Sequence, residues 1–178
     1  SATLLSQQRI IIRTVDISLV VRNIGQTLDT VAAMAEEMGG WFINRNQFQK
    51  NTGSISVRVP SEQLEVAVTR LRGMAVEVES EVSTSQDVTE EYSDITARHG
   101  SLVAERDTLR TLFDDARSVE EALKVRESLA RIQGDIEVLE ARIDSIERTA
   151  AFSLVRVNLS LDPIKMTVDA GGDKTAGV

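Results

Sequence analysis

With 178 residues, 3% aromatic and 27% charged, the chain has too little bulky apolar material for a thick globular core and reads as a small domain with an elongated helical appendage. A formal net charge of -8, with Lys and Arg interspersed among the acidic residues, argues against nucleic acid as a partner, since phosphate recognition requires clustered cations. There is no cysteine, which excludes disulfides, thiolate metal sites and cysteine nucleophiles together, and no run of about 18 apolar residues that would span a bilayer.

The first segment, "RIIIRTVDISLVV", places Val15, Ile17, Leu19 and Val21 on one side and Asp16 and Ser18 on the other, the alternation of a strand. Asn23 is suited to cap a helix whose apolar positions Ile24, Leu28, Val31, Ala35 and Met38 follow helical spacing, and Gly39-Gly40 ends it. "WFINRNQFQ" and "GSISVRVP", joined by "KNTG", read as a hairpin with Ile55, Val57 and Val59 inward. Pro60 ends that strand, and Ser61 is placed to cap a second helix burying Leu64, Ala67, Val68 and Leu71. "AVEVESEV" alternates Val76 and Val78 against Glu77 and Glu79, a strand with a solvated acidic face. The order β-α-β-β-α-β predicts an α+β fold with a ferredoxin-like split βαβ sheet.

The period then changes. From Val88 onward, Tyr92, Ile95, His99, Leu102, Arg106, Leu109, Phe113 and Ala116 alternate steps of four and three. After "RSVEEA" the rhythm resumes through Ala122, Val125, Leu129, Ile132, Ile136, Leu139, Ile143, Ile146 and Ala150. This predicts two heptad helices of roughly 40 Å each. Ser118 and Glu121 between them fit a capping box that restarts a helix after a reversal, giving a long antiparallel coiled-coil hairpin.

A reversal near Val119 sets His99 opposite Leu139, Arg106 opposite Ile132 and Phe113 opposite Val125, with Glu91 facing Arg142 and Arg98 facing Asp135. "FSLVRVNLSL" alternates Val155, Val157, Leu159 and Leu161 against Ser153, Arg156 and Asn158, so the chain re-enters the sheet as a fifth strand. The expected organisation is a sheet domain of 8–86 plus 152–162 and an inserted hairpin of 87–151. Residues 1–7 and 163–178 read as flexible tails or linkers.

His99, the only histidine, lacks the further His or Cys partners that catalysis or metal binding would use. It and Arg106 read instead as register-setting polar residues of the seam, the arginine covering apolar surface with its stem. Asp87 before "VTEE" reads as a helix cap, and Asp94 with Arg98 as a helix-surface ion pair. The acidic pairs Asp114-Asp115 and Glu120-Glu121 lack calcium-loop spacing and read as a solvated tip. Asn158-Leu159-Ser160 matches a glycosylation pattern but falls inside a strand. Leu112, Val119 and Leu123 lie off the seam at the tip, where they either staple the turn to Phe113 or form a contact surface. No catalytic, cofactor-binding or metal-binding residue is expected.

"RIIIRTVDISLVV", "EEMGGWF", "SISVRVPSEQL", "QDVTEEYSDITAR" and "ARIDSIERTAAFSLVRVNLSL", in this order around a heptad hairpin, resemble the bacterial envelope family catalogued as domain of unknown function 4349. The resemblance covers about residues 8 to 161. It is most specific in the segment from Asp87-Val88-Thr89 to Tyr92-x-Asp94 and the hairpin that follows. It implies an extracytoplasmic domain tethered to the membrane by a lipoprotein-type signal, a transmembrane helix or both, with the anchor outside these residues, and it implies no established activity.

The expected function is therefore a non-enzymatic, membrane-associated interaction or scaffold module of the bacterial cell envelope. Its stem would contact another envelope protein or a second copy. The alternative is an extracytoplasmic sensor or regulatory domain binding a small ligand or cell-wall fragment, and a hydrolase using scattered carboxylates is the least supported reading.

Overall fold

The computed structural model describes residues 8–162; the expected tails 1–7 and 163–178 lie outside them. The elements run β1 (Ile11–Val21), α1 (Ile24–Glu37), β2 (Trp41–Phe48), β3 (Thr52–Pro60), α2 (Leu64–Met74), β4 (Glu77–Asp87), α3 (Thr89–Asp114), α4 (Val119–Ala151) and β5 (Phe152–Leu161). The protein is thus α+β, with four helices and one mixed five-stranded sheet of order β2-β3-β5-β1-β4 among the described residues. The last strand enters the interior of the sheet. β5 runs parallel to β1 from Thr14↔Leu154 to Val21↔Leu161 and antiparallel to β3 from Thr52↔Ser160 to Pro60↔Phe152.

The chain divides into two compact units: residues 12–86 with those from 149 onward, and residues 87–148 with the segment ending at Ile11. Hydrogen bonds within each unit tie its separate segments together. In the second unit, the Val88 N–H donates to the Ile10 carbonyl at 2.9 Å, and the Ile10 N–H donates to the Thr89 hydroxyl at 2.8 Å. In the first, the Ser61 hydroxyl donates to the Ala150 carbonyl at 2.7 Å. That contact also corrects the expected role of Ser61 as a helix cap. The hydroxyl is committed to Ala150 and Ser153, a 3-10 turn spans Ser61–Gln63, and α2 starts at Leu64 with no side-chain cap.

In the first unit, the alternation of the three central strands does the folding. Ile17 and Leu19 of β1, Ile55 and Val57 of β3, and Val155 and Val157 of β5 project from one face and are buried. Leu28, Val31 and Ala35 of α1 and Ala67 and Leu71 of α2 pack on them in a single core. Each such branched side chain contributes about 1.5–3 kcal/mol by leaving water. The opposite face is polar, where Arg156 clasps Asp16 through Nε and Nη2 at 2.6 and 3.0 Å.

Asn23 caps α1 as expected, its Oδ1 accepting the Gln26 N–H at 2.9 Å. The helix closes on Gly39 at φ 90, with the Gly40 N–H returning to the Ala35 carbonyl at 2.8 Å. Gly40 then passes so close to β3 that a Cβ there would lie 1.9 Å from the Arg58 carbonyl oxygen. β4 departs from expectation. Val76, just before β4, and Val78 within it are exposed together with the acidic residues, because an edge strand is less covered than an interior one.

Candidate functional site

Side-chain bridges join the helices α3 and α4. Arg142 donates from Nε and Nη2 to Oε1 of Glu91 at 2.8 and 2.6 Å, the contact expected from the heptad register. The Tyr92 hydroxyl donates to Oε1 of Glu147 at 2.6 Å, and His99 Nε2 lies 3.0 Å from Oε1 of Glu140. From Tyr92 to His99 the partner falls from Glu147 to Glu140, so the two helices run antiparallel. Burial follows the predicted stripe except at Phe113: Tyr92, Ile95, His99, Leu102, Arg106 and Leu109 are half-buried and Ile132, Ile136 and Ile146 are buried, whereas Phe113, expected in the seam opposite Val125, is exposed next to the turn where the helices end.

His99 is not a lone polar group among leucines. It faces the carboxylate one residue past the expected Leu139, and its side chain is 27% exposed. Among the described residues Arg106 reaches its own neighbour alone, with Nε and Nη2 at 3.4 and 3.5 Å from Oδ1 of Asp107. The expected pairings of Arg98 with Asp135 and with Asp94 do not form among the described residues. A helix-surface pair of that kind contributes little against the rotamer freedom it costs. Tyr92 was legible in the sequence only as an apolar seam position. Its hydroxyl anchors the pair, and donation to Glu147 holds the phenol above its ordinary pKa.

At the start of α3, Asp87 accepts the Thr89 hydroxyl at 2.6 Å and the Thr89 N–H at 3.0 Å. It therefore serves the first helical residue, although the capping position is occupied by Val88. These two bonds, assisted by Arg9 at 3.3 Å, hold its carboxyl below the ordinary range. Because the Thr89 hydroxyl also accepts the Ile10 N–H, the motif beginning at Asp87 fastens the segment before β1 to the start of α3.

At the other end, Asp115 closes α3 and the chain turns through Ser118. The Ser118 hydroxyl accepts the Glu121 N–H at 3.2 Å, while Glu121 Oε2 accepts the N–H of Arg117 at 3.2 Å. This is a capping box displaced by one residue at its return arm. Beside it Leu112, Val119 and Leu123 are 51%, 77% and 53% exposed, and Phe113 is 41% exposed. Phe113 therefore does not enclose them. Among the described residues no three His, Asp or Glu side chains gather as a metal-binding group. Asn158 stands in the β5 ladder between Ser18 and Ser54.

Further exposed apolar side chains, not singled out from the sequence, lie along β2. Trp41, whose ring centroid is 4.9 Å from that of Phe152, Phe42, Ile43 and Phe48 are each exposed along it. No helix of the described residues is long and apolar enough to cross a membrane.

These features define an α+β protein in which a helical pair is inserted before the last strand of a mixed sheet. Residues 9–175 match the family described as Domain of unknown function (DUF4349), and the chain belongs to that family. No curated protein and no solved structure shows a significant match.

Proposed function

We propose that the protein is a non-enzymatic interaction module of the bacterial cell envelope, held at the membrane by an anchor outside these residues. In this reading the base is a ferredoxin-like split βαβ sheet into which β5 has been wedged between β1 and β3. The stem is a coiled-coil hairpin that carries a contact surface to another envelope protein or a second copy. The observation that carries the reading is the tip, where Leu112, Val119 and Leu123 are each at least half exposed beside Phe113. Clustered apolar side chains at the end of a helical pair have no core of their own to enter and commonly mark an interface.

The test is the double variant Leu112→Asp/Leu123→Asp, with association measured by sedimentation and by capture from envelope extracts. Loss of association with unchanged helical content supports the contact arm. Unchanged association returns these leucines to a local role in the turn.

The second reading, an extracytoplasmic sensor that binds a small ligand, is favoured by a separate feature, a groove in the base beside α2 lined by charged and hydroxyl groups.

A further inference from the structure

The groove lies between α2 and β4 and has a volume of about 260 Å³. Its strand side presents Arg13 of β1 with Ser83 and Ser85 of β4, and its helix side presents Glu65 and Arg72. Position 13 shares the alternation of Val15, Ile17 and Leu19, which places Arg13 on the helix-covered face of the sheet, where it is half-buried.

The charged groups of the groove are unequally satisfied. Arg72 holds Glu81 in a fork, Nε to Oε1 at 2.8 Å and Nη2 to Oε2 at 2.7 Å. That hydrogen-bonded contact raises the pKa of the arginine and lowers that of the glutamate. The two cancel. Arg13 has no carboxylate within ion-pair distance and no hydrogen bond among the described residues, and the hydroxyls of Ser83 and Ser85 are also without partners there. The Glu65 carboxylate makes no hydrogen bond and acts on Arg72 only through space.

Arg13, half-buried as a residue, thus brings an uncompensated positive charge to the groove. Its planar fork of donors fits a carboxylate in two-point contact, and hydroxyls at alternate positions of one strand add donors on the same side. A simple anion answers only half of the groove, because the free carboxylate of Glu65 repels it. A molecule with both a carboxylate and an ammonium group answers both sides. The volume is also below the roughly 300–1,000 Å³ typical of sites for drug-sized ligands, which suits a molecule of few atoms.

We infer that this groove binds a free α-amino acid, its carboxylate held by Arg13 with Ser83 and Ser85 and its ammonium held by Glu65. Val15, Leu64 and Val68, which line the same groove, meet its side chain. The site uses no residue of the hairpin. It therefore goes beyond the contact-arm reading and is independent of it: tip variants that lose association leave amino-acid binding intact, and groove variants leave association intact.

The test is a ¹H–¹⁵N NMR titration of the whole chain with L-alanine, D-alanine, sodium acetate and ethylammonium chloride in parallel. The expected result is saturable shifts of the amides of β4 and α2 with at least one alanine enantiomer, and binding at least about tenfold weaker for acetate and ethylammonium, each of which has lost one charge-assisted contact. Arg13→Gln weakens alanine by about tenfold or more, while Glu65→Gln weakens alanine and leaves acetate unchanged or tighter. The spectrum itself reports whether each variant is folded, and Ser83→Ala/Ser85→Ala provides a milder change of the same site. Absence of saturable shifts with either enantiomer overturns the inference, as does acetate binding as tightly as alanine, or alanine binding unaltered in both the Arg13 and the double serine variants.

Discussion

Tyr92 and Glu147, 55 positions apart, are joined across α3 and α4 by a 2.6 Å hydrogen bond in which the phenol donates to the carboxylate. The bond exists only while the phenol keeps its proton, and it raises the pKa of that proton above the ordinary value near 10. A pKa raised in the folded state means that the contribution is fully present below the unfolded value and is lost as pH climbs through the folded one. Tyr92 is the only tyrosine in the chain, so phenolate absorbance reports it without interference from another. The titration midpoint should lie above that of a free tyrosine and fall back towards it in Glu147→Gln. An ordinary midpoint in the parent would mean that the bond is not populated in solution.

Asp87 works in the opposite sense. Its carboxyl is held low first by the Thr89 hydroxyl, then by the Thr89 N–H and by Arg9. The stabilisation it supplies is therefore present above the unfolded carboxylate value near 4 and disappears as pH falls through the lower, folded one. Hydrogen exchange of the amides from Val88 to Tyr92 should accelerate over that acidic window. Asp87→Ala should show the accelerated exchange at neutral pH with little further acid dependence. Exchange in the variant that matched the parent at neutral pH would show that the start of α3 does not depend on this carboxylate.

His99 and Arg106 make a paired prediction. The His99 partner Glu140 is 55% exposed, so removing the imidazole leaves a carboxylate that water can serve, and a leucine gains apolar contact on the stripe. Among the described residues Arg106 has only long contacts to Asp107. His99→Leu and Arg106→Leu should each shift stability by no more than about 1 kcal/mol, in either direction for the first and towards greater stability for the second. The double variant, with fewer polar groups along the seam, should populate additional registers or oligomers in sedimentation. A steep loss of stability in His99→Leu alone would show that its bond to Glu140 is integral to the pairing of the helices.

Much of this arrangement was written in local periodicity, and the rest depends on which distant residues meet. The alternation from Val15 to Val21 and the four-three rhythm from Tyr92 to Ala150 are fixed by the geometry of single strands and helices, so the elements and their order were legible. The place of β5 was not. Val157 pairs with Ile17 on one side and Ile55 on the other, and nothing in "FSLVRVNLSL" distinguishes an interior strand with those neighbours from an edge. The tip leucines stood out because they miss the heptad. The one-residue difference between Leu139 and Glu140 as the partner of His99 is set by helix rotation, which spacing alone does not resolve. The groove joins Arg13 to Ser83 and Ser85 from strands far apart in sequence, and no motif announces such a meeting.

The strongest contrast available within one element is that between Ile136 and Val138 of α4. Two residues apart on a helix, they point in different directions, and Ile136 is 0% exposed whereas Val138 is 69% exposed. Truncating a fully buried isoleucine removes its transfer energy and leaves a cavity, which costs about 2–5 kcal/mol. Truncating an exposed valine on a helix surface removes almost nothing, and alanine there is the better helix former. Ile136→Ala should therefore lower the denaturation midpoint clearly, while Val138→Ala should leave it unchanged or slightly raised. The order matters for the function proposed, because a contact arm needs α4 held in register while its outer side stays free for solvent. If Val138→Ala proved the more damaging change in urea denaturation, Val138 would be covered in solution and the side of α4 assigned to the seam would be wrong.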